Sequence, residues 1–198
     1  MNPEQYLPLF AFTVVMVGTP GPNNLMLMSA GANFGFRRSI PHILGIVVGC
    51  QVLLWAIALG LGQLLEAYPP AAVLLKACGG MFLLYMAYQL ARPRKSKLVV
   101  EQEIKPLTFL QAALFQWVNP KAWLMFVTVI STFSDREHFF VSVAIIAVLF
   151  FFLGLPLISA WNIGGVALKG WLHHGQRLMR FNQAMAALLL LTMYPMLS

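Results

Sequence analysis

Long runs of apolar residues alternate with short polar segments along the whole chain. Six runs are long enough to cross a bilayer as an α-helix, which takes roughly 20 residues. They are predicted at Tyr6–Ser29, Ile43–Leu64, Ala71–Ala91, Thr108–Phe133, Phe139–Trp161 and Phe181–Leu197. None shows the alternating pattern of a barrel strand, and a helix satisfies its own backbone where no water is present. The pattern therefore predicts an all-α membrane protein with six transmembrane helices.

The composition indicates lipid as the surrounding solvent. Hydrophobic residues make up 60% of the 198 positions and charged residues only 10%, whereas a soluble domain keeps about 25% of its residues charged. We predict a single transmembrane domain over residues 1–198, because a chain of this length rarely holds two. The first residues contain Glu4 and no basic run, so no cleavable signal peptide is predicted.

The net charge of +7 is concentrated in alternate loops. Ten of the 13 basic residues fall on one side of the predicted membrane: Arg37, Arg38, Arg92, Arg94, Lys95, Lys97, Lys105, Lys169, Arg177 and Arg180. An excess of Lys and Arg marks cytoplasmic loops, so both termini are predicted on the periplasmic side. Because this excess accounts for the charge, no nucleic-acid partner is predicted.

The basic segment from Arg92 to Leu107 divides the chain into two sets of three helices, at about residues 6–91 and 108–197. Three is an odd number, so the second set begins on the opposite side of the membrane from the first. We predict two inverted three-helix repeats, a common plan for secondary transporters.

The first and fourth predicted helices each contain a proline break beside asparagine. The breaks read Gly18-Thr19-Pro20-Gly21-Pro22-Asn23-Asn24 and Gln116-Trp117-Val118-Asn119-Pro120-Lys121. Each proline frees the carbonyl four residues before it: those of Met16, Gly18 and Gln116. Proline also suits the first position of a new helix, with Gly21 or Asn119 as its cap. The sequence therefore predicts that both helices are broken inside the membrane.

Such breaks suit a small ligand with two charges. A half-helix N-terminus favours an anion, and freed carbonyls can accept hydrogen bonds from an ammonium group. An amino acid carries both groups. The predicted substrate-binding residues are Pro20, Gly21, Pro22, Asn23, Asn24, Gln116, Asn119, Pro120 and Lys121. The alternative interpretation is that a proline only kinks its helix, and this interpretation is preferred for Pro156 and Pro195.

Lys121 lies about 13 residues into the helix predicted to start at Thr108, roughly 20 Å along it and near the middle of the membrane. A lysine there costs several kcal/mol unless it pairs, reaches an interface or faces water. No acidic residue lies at comparable depth in the predicted helices. A carbonyl, an amide or the carboxylate of a substrate is therefore the expected partner. Snorkelling to an interface is the alternative, and it is favoured for Lys76.

The segment Gly18–Asn24, the run Gly35-Phe36-Arg37-Arg38-Ser39 and the segment Gln116–Lys121 together resemble the LysE/RhtB family of amino acid exporters. The resemblance extends along almost the whole chain. It implies proton-driven export of amino acids or their derivatives across a bacterial inner membrane. Within the family, the sequence is most similar to the exporters of cysteine and O-acetylserine. Lysine and arginine exporters carry an acidic residue where Cys50 stands here, which argues against cationic substrates.

Two other functions were weighed against export of a small neutral amino acid. A membrane-embedded enzyme would need paired intramembrane aspartates, an HExxH motif or a nucleophile with a base, and the sequence has none. A cation or metal exporter of the same superfamily would need carboxylates or thiolates, and the predicted helices offer only Cys50 and Cys78. No catalytic residue, metal site or cofactor is predicted. The sequence leaves open whether the chain forms a homo-oligomer.

Overall fold

The computed structural model describes residues 3–92, 106–172 and 176–194. Regular structure within these ranges is helical throughout, which confirms the all-α class. Several positions used in the sequence analysis lie outside the described residues: Arg94, Lys95, Lys97, Lys105, Pro195 and the end of the sixth predicted helix.

Nine α-helices are present in the described part of the chain. They are α1 (Tyr6–Gly18), α2 (Pro22–Phe34), α3 (Phe36–Ala56), α4 (Gly62–Ala67), α5 (Pro69–Ala91), α6 (Phe109–Val118), α7 (Pro120–Phe133), α8 (Phe139–Leu172) and α9 (Arg177–Leu191). A 3-10 turn at Pro3–Gln5 precedes α1, and a π-helical turn at Ile57–Leu61 joins α3 to α4.

Both predicted breaks are confirmed. Helix α1 ends at Gly18, and α2 begins at Pro22 after an extended Gly21. Helix α6 ends at Val118, and Asn119 caps α7, which begins at Pro120. The side-chain oxygen of Asn119 accepts a hydrogen bond from the backbone N–H of Lys121 at 3.2 Å. Proline therefore starts both second segments, where its missing N–H is no loss.

Other helix ends differ from the sequence prediction. Helix α2 continues to Phe34 instead of Ser29, α3 begins at Phe36 instead of Ile43, and α8 continues past Trp161 to Leu172. Hydropathy marks the most apolar stretch, whereas a helix continues until its backbone hydrogen bonding is interrupted. Gly35 provides that interruption between α2 and α3. Its φ of 85° is a left-handed conformation that glycine adopts without steric cost.

Two helix pairs approach each other backbone to backbone. Helix α2 packs along α8, where a Cβ on Gly31 would overlap the carbonyl of Asn162 and a Cβ on Gly165 would overlap the backbone of α2. Helix α3 packs along α6 in the same way, at Gly45 and Gly49. Small residues allow this close approach between membrane helices. These contacts join the first half of the chain to the second.

The interior contains two hydrophobic clusters. One joins α2, α3, α5, α6 and α9, and the other joins α1, α3, α7 and α8. Representative fully buried members are Leu27, Leu83 and Leu189 in the first, and Phe126, Val129 and Ile146 in the second. Val17 and Cys50 contact both clusters. The two breaks lie where the clusters meet, so the apolar packing of both halves positions them.

The outer surface is strongly apolar. Leu7, Phe152 and Leu191 are 76%, 68% and 68% exposed, and many other large apolar side chains are exposed with them. Soluble monomers rarely expose apolar patches on this scale. Three described helical segments, Phe36–Leu64, Pro69–Ala91 and Phe139–Leu172, are long and apolar enough to cross a membrane. Helices α1, α6 and α7 are apolar but shorter. The protein is therefore a membrane protein.

Candidate functional site

A cavity of about 70 Å³ lies beside the two helix breaks. At roughly 10–15 Å³ for each water molecule, it has room for about five to seven waters, comparable to the size of a small amino acid. Its polar wall includes Gly21, Pro22, Asn23, Asn24, Cys50, Gln51, Asn119 and Lys121. Its apolar wall includes Met16, Val17, Ile46, Val47, Met125, Phe126, Phe150 and Ile158.

An amide network links the two breaks across the cavity wall. The side chains of Asn23 and Gln116 exchange two hydrogen bonds, of 2.8 Å from Asn23 and 3.2 Å from Gln116. The oxygen of Gln116 also accepts from the amide of Asn119 at 3.3 Å and from the thiol of Cys50 at 3.6 Å. Gln116 is fully buried and donates to the carbonyl of Ala112 at 2.8 Å. It therefore holds three helical segments together from behind the cavity.

Asn24 holds the first break in shape. It is 4% exposed, and its amide donates to the carbonyls of Val17 and Thr19, at 2.8 Å each. These carbonyls belong to the end of α1 and to the extended link, which have lost their helical donors. A buried carbonyl without a partner costs about 1–3 kcal/mol. Asn24 therefore stabilises the break that its neighbouring prolines create.

The three carbonyls that the prolines free have donors within the protein. The carbonyl of Met16 accepts from the hydroxyl of Thr19 at 3.3 Å, and that of Gly18 accepts from the indole N–H of Trp161 at 3.2 Å. The carbonyl of Gln116 accepts from the backbone N–H of Asn119 at 3.3 Å. An ammonium group would therefore have to share or displace these donors.

Lys121 connects α7 to the first break. Its Nζ donates to the carbonyl of Thr19 at 2.6 Å and to the hydroxyl of Thr19 at 2.9 Å. Its side chain also covers Gly21 so closely that a Cβ added there would lie 2.7 Å from Cδ. The ammonium group thus finds a carbonyl partner at the opposite break, one of the partners that the sequence analysis expected.

Lys121 is the only charged side chain among the described residues that line this cavity. A cation without a counter-charge, beside amides and a thiol, attracts a carboxylate, while the aromatic and aliphatic wall accommodates a short uncharged side chain. This chemistry suits a small organic acid such as an α-amino acid. None of the described lining residues offers a carboxylate to a second positive charge on the ligand.

The structure brings most of the predicted site residues to one place. Six of the nine line the cavity: Gly21, Pro22, Asn23, Asn24, Asn119 and Lys121. Gln116 lies behind them, and Pro20 and Pro120 shape the breaks. Thr19 and Trp161, which bond to the break, were missed. Thr19 lies inside the motif of the first break and could have been predicted as a site residue. Trp161 lies 143 residues from its partner Gly18, so the local sequence gives no signal for it.

The family model described as LysE type translocator matches residues 14–193. The chain belongs to the LysE type translocator family. The match covers both breaks and every residue that lines the cavity.

Individual relatives of this LysE type translocator are similar over two thirds of their length. The cysteine/O-acetylserine efflux protein of Escherichia coli (strain K12) is 32% identical over 135 residues, which cover 67% of this chain and 67% of that protein. A protein of the same name from Shigella sonnei (strain Ss046) matches to the same extent. No solved structure matches the chain.

Proposed function

We propose that this LysE type translocator exports small neutral amino acids or their derivatives, such as cysteine, O-acetylserine or homoserine- and threonine-like compounds, across a bacterial inner membrane. The observation that carries the proposal is the cavity between the two broken helices, where Lys121 is the single charged side chain among the described lining residues. The names of the similar efflux proteins favour the same substrate class.

The chemistry of the cavity favours a neutral side chain on the substrate. Lys121 can bind the carboxylate, and Asn23 and Asn119 offer amide oxygens to the ammonium group. A further positive charge on the substrate would meet Lys121 without a carboxylate among the described lining residues to offset it. Lysine and arginine are therefore poor substrates in this proposal.

The proposed topology has six transmembrane spans and both termini in the periplasm. The pairs α1–α2 and α6–α7 form the broken spans, α3 with α4, α5 and α8 form three more, and α9 begins the sixth. The two halves, about 6–91 and 108–197, would be inverted repeats. The exposed apolar surface and the clustering of basic residues at alternate helix ends support this arrangement. A reporter that is active only in the cytoplasm should be silent when fused after Ser198, and an active fusion would contradict the orientation.

We propose that transport is coupled to protons through Lys121. A charged Lys121 would bind the substrate carboxylate, and a neutral Lys121 would release it. Arginine cannot make this change because its guanidinium stays protonated. Lys121→Arg should therefore bind substrate without coupling, whereas Lys121→Ala should lose binding as well. Full transport by Lys121→Arg under a pH gradient would refute the proposal that Lys121 carries the proton.

Two measurements test the proposed function. Overexpression should raise the amount of one or more small neutral amino acids in the culture medium, measured by mass spectrometry against an empty-vector strain. Inside-out membrane vesicles should accumulate labelled O-acetyl-L-serine or L-cysteine when a pH gradient is imposed. Lys121→Ala should abolish this uptake, while Lys76→Ala, at an exposed lysine on α5, should retain it. Unchanged amino acid profiles together with no vesicle uptake would refute the proposal.

A further inference from the structure

A second cavity, of about 60 Å³, lies among α2, α3, α5 and α9. It shares no lining residue with the cavity at the helix breaks. Its polar wall is formed by Ser29, Asn33, His42, Gln89 and Asn182, and Arg92 lines it at the end of α5. At roughly 10–15 Å³ for each water, it has room for about four or five water molecules.

Three polar atoms on this wall have no hydrogen-bond partner among the described residues. They are both ring nitrogens of His42 and the hydroxyl oxygen of Ser29. His42 is 1% exposed and Ser29 is 4% exposed. Each buried polar group without a partner costs about 1–3 kcal/mol, and native proteins contain few of them. Three such atoms around one cavity therefore indicate that water or a polar solute occupies it.

The other polar side chains of the wall already make hydrogen bonds: Gln89, which also lines it, donates to the hydroxyl of Tyr85 at 2.8 Å. Asn33 donates to Asn182 at 2.9 Å, and Asn182 donates back to Asn33 at 3.2 Å. Asn33 also donates to the carbonyl of Ser29 at 2.7 Å. This amide pair joins α2 to α9 and forms a fixed part of the wall. It leaves the imidazole and the hydroxyl as the groups that can bind a solute.

The surroundings of the cavity are positively charged. Arg92 is exposed where it lines the cavity, Arg37 and Arg38 lie in the first turn of α3, and Lys169 lies in the last turn of α8. A positive surface around a small cavity attracts an anionic solute. The anionic group would bind Arg92, since a guanidinium suits a carboxylate.

The imidazole of His42 and the hydroxyl of Ser29 also suit the charged groups of an amino acid. A neutral imidazole offers one donor and one acceptor, and a hydroxyl offers both. His42 can therefore accept a hydrogen bond from an ammonium group while Ser29 donates to a carboxylate. Met86 and Leu189 provide an apolar wall for a short side chain.

We propose that this cavity is a second binding site for a small zwitterionic amino acid, at the basic end of the helix bundle. It would hold the amino acid before it passes to the site at the helix breaks. The inference rests on the proposed export function, in which the basic end faces the cytoplasm. Water molecules or an inorganic anion such as phosphate are the rival occupants.

Binding stoichiometry tests the second site directly. Purified protein in lipid nanodiscs is dialysed to equilibrium against labelled O-acetyl-L-serine, with and without excess phosphate. The wild type should bind two molecules per chain, and His42→Phe, which keeps a ring but removes both nitrogens, should bind one. Ser29→Ala is a milder second variant. His138→Phe is the matched control, because His138 is exposed beyond the opposite end of the bundle, and it should bind two.

Vesicle kinetics separate a substrate site from a structural cavity. In inside-out vesicles, Ser29→Ala and His42→Phe should each raise the half-saturating concentration of O-acetyl-L-serine by about tenfold, the effect expected from losing one or two hydrogen bonds. The maximal rate should stay within about twofold of the wild type, because the site at the breaks is intact. A loss of about tenfold in the maximal rate, without a change in the half-saturating concentration, would assign the cavity a structural role and overturn the proposal.

The outcomes distinguish this inference from the proposed function. One molecule bound per chain by the wild type, with normal uptake, refutes the second site and leaves export standing. Stronger displacement of the second molecule by phosphate than by unlabelled O-acetyl-L-serine would also refute it, since the cavity would then be an anion site. Two molecules bound without any uptake would support the second site and refute export. No binding at all would refute both.

Discussion

Replacing Gln116 with leucine should loosen the contact between the two helix breaks. Gln116 is fully buried and bonds to Asn23, Asn119, Cys50 and the carbonyl of Ala112. Leucine has nearly the same volume but no polar atom, so the packing is retained and the network is lost. The side-chain amides of Asn23 and Asn119 stay in position, but they lose the oxygen of Gln116 that accepts a hydrogen bond from both.

The magnitude follows from the two amides that lose their partner. A buried donor without a partner costs about 1–3 kcal/mol. Both residues line the cavity, but Asn119 is 3% exposed and should bear most of this cost, whereas Asn23 is half-buried and can bind water there. We expect a total of about 2–4 kcal/mol, which reduces the population of the intact arrangement by roughly 30- to 1000-fold. For a chain of this size that corresponds to a fall of about 5–15 °C in the unfolding midpoint.

The assay is thermal unfolding of purified protein in detergent, combined with uptake by inside-out vesicles. Gln183→Leu is the control, because Gln183 is exposed on α9 and its loss should shift the midpoint by less than about 1 °C. The double variant with Asn23→Leu should be more stable than the sum of the two single changes predicts, because the hydrogen bonds between Asn23 and Gln116 are lost only once. Additive losses, or a Gln116→Leu midpoint equal to that of the wild type, would refute the reasoning.

Three further predictions follow from the same contacts. Asn24→Ala should abolish export while the protein still reaches the membrane, because the carbonyl of Val17 loses its side-chain donor and that of Thr19 keeps only Lys121; vesicle uptake and immunoblots of the membrane fraction check this, and normal uptake would contradict it. Gly165→Val should prevent correct folding, since its side chain would overlap the backbone of α2, whereas Gly164→Val has open space; gel filtration in detergent should show aggregation only for the former. A strain that overexpresses the protein should gain no resistance to a toxic arginine analogue, and selective resistance would refute the preference for neutral substrates.

Much of this protein could be predicted from local sequence. Apolar runs indicated lipid-facing helices because each run must satisfy its own backbone within the bilayer. The breaks at Pro22 and Pro120 could be predicted because proline lacks a donor wherever it stands, whatever surrounds it. The position of Lys121 indicated a candidate site because a charge at membrane depth needs a partner. Each of these inferences depends on the chemistry of one residue and its immediate neighbours.

The partners across the molecule were decided by tertiary structure alone. Helix α3 begins early enough to bury His42, because a left-handed Gly35 turns the chain directly into it. Trp161 reaches Gly18 because α8 packs along α2 at glycine contacts, and Lys121 reaches Thr19 because the two halves of the chain interlock. Hydrogen bonds between residues about 100 positions apart depend on how helices pack, and packing is a property of several surfaces at once. A hydropathy pattern describes one helix at a time, so it predicted the helices and their breaks but could not predict which polar groups would meet between them.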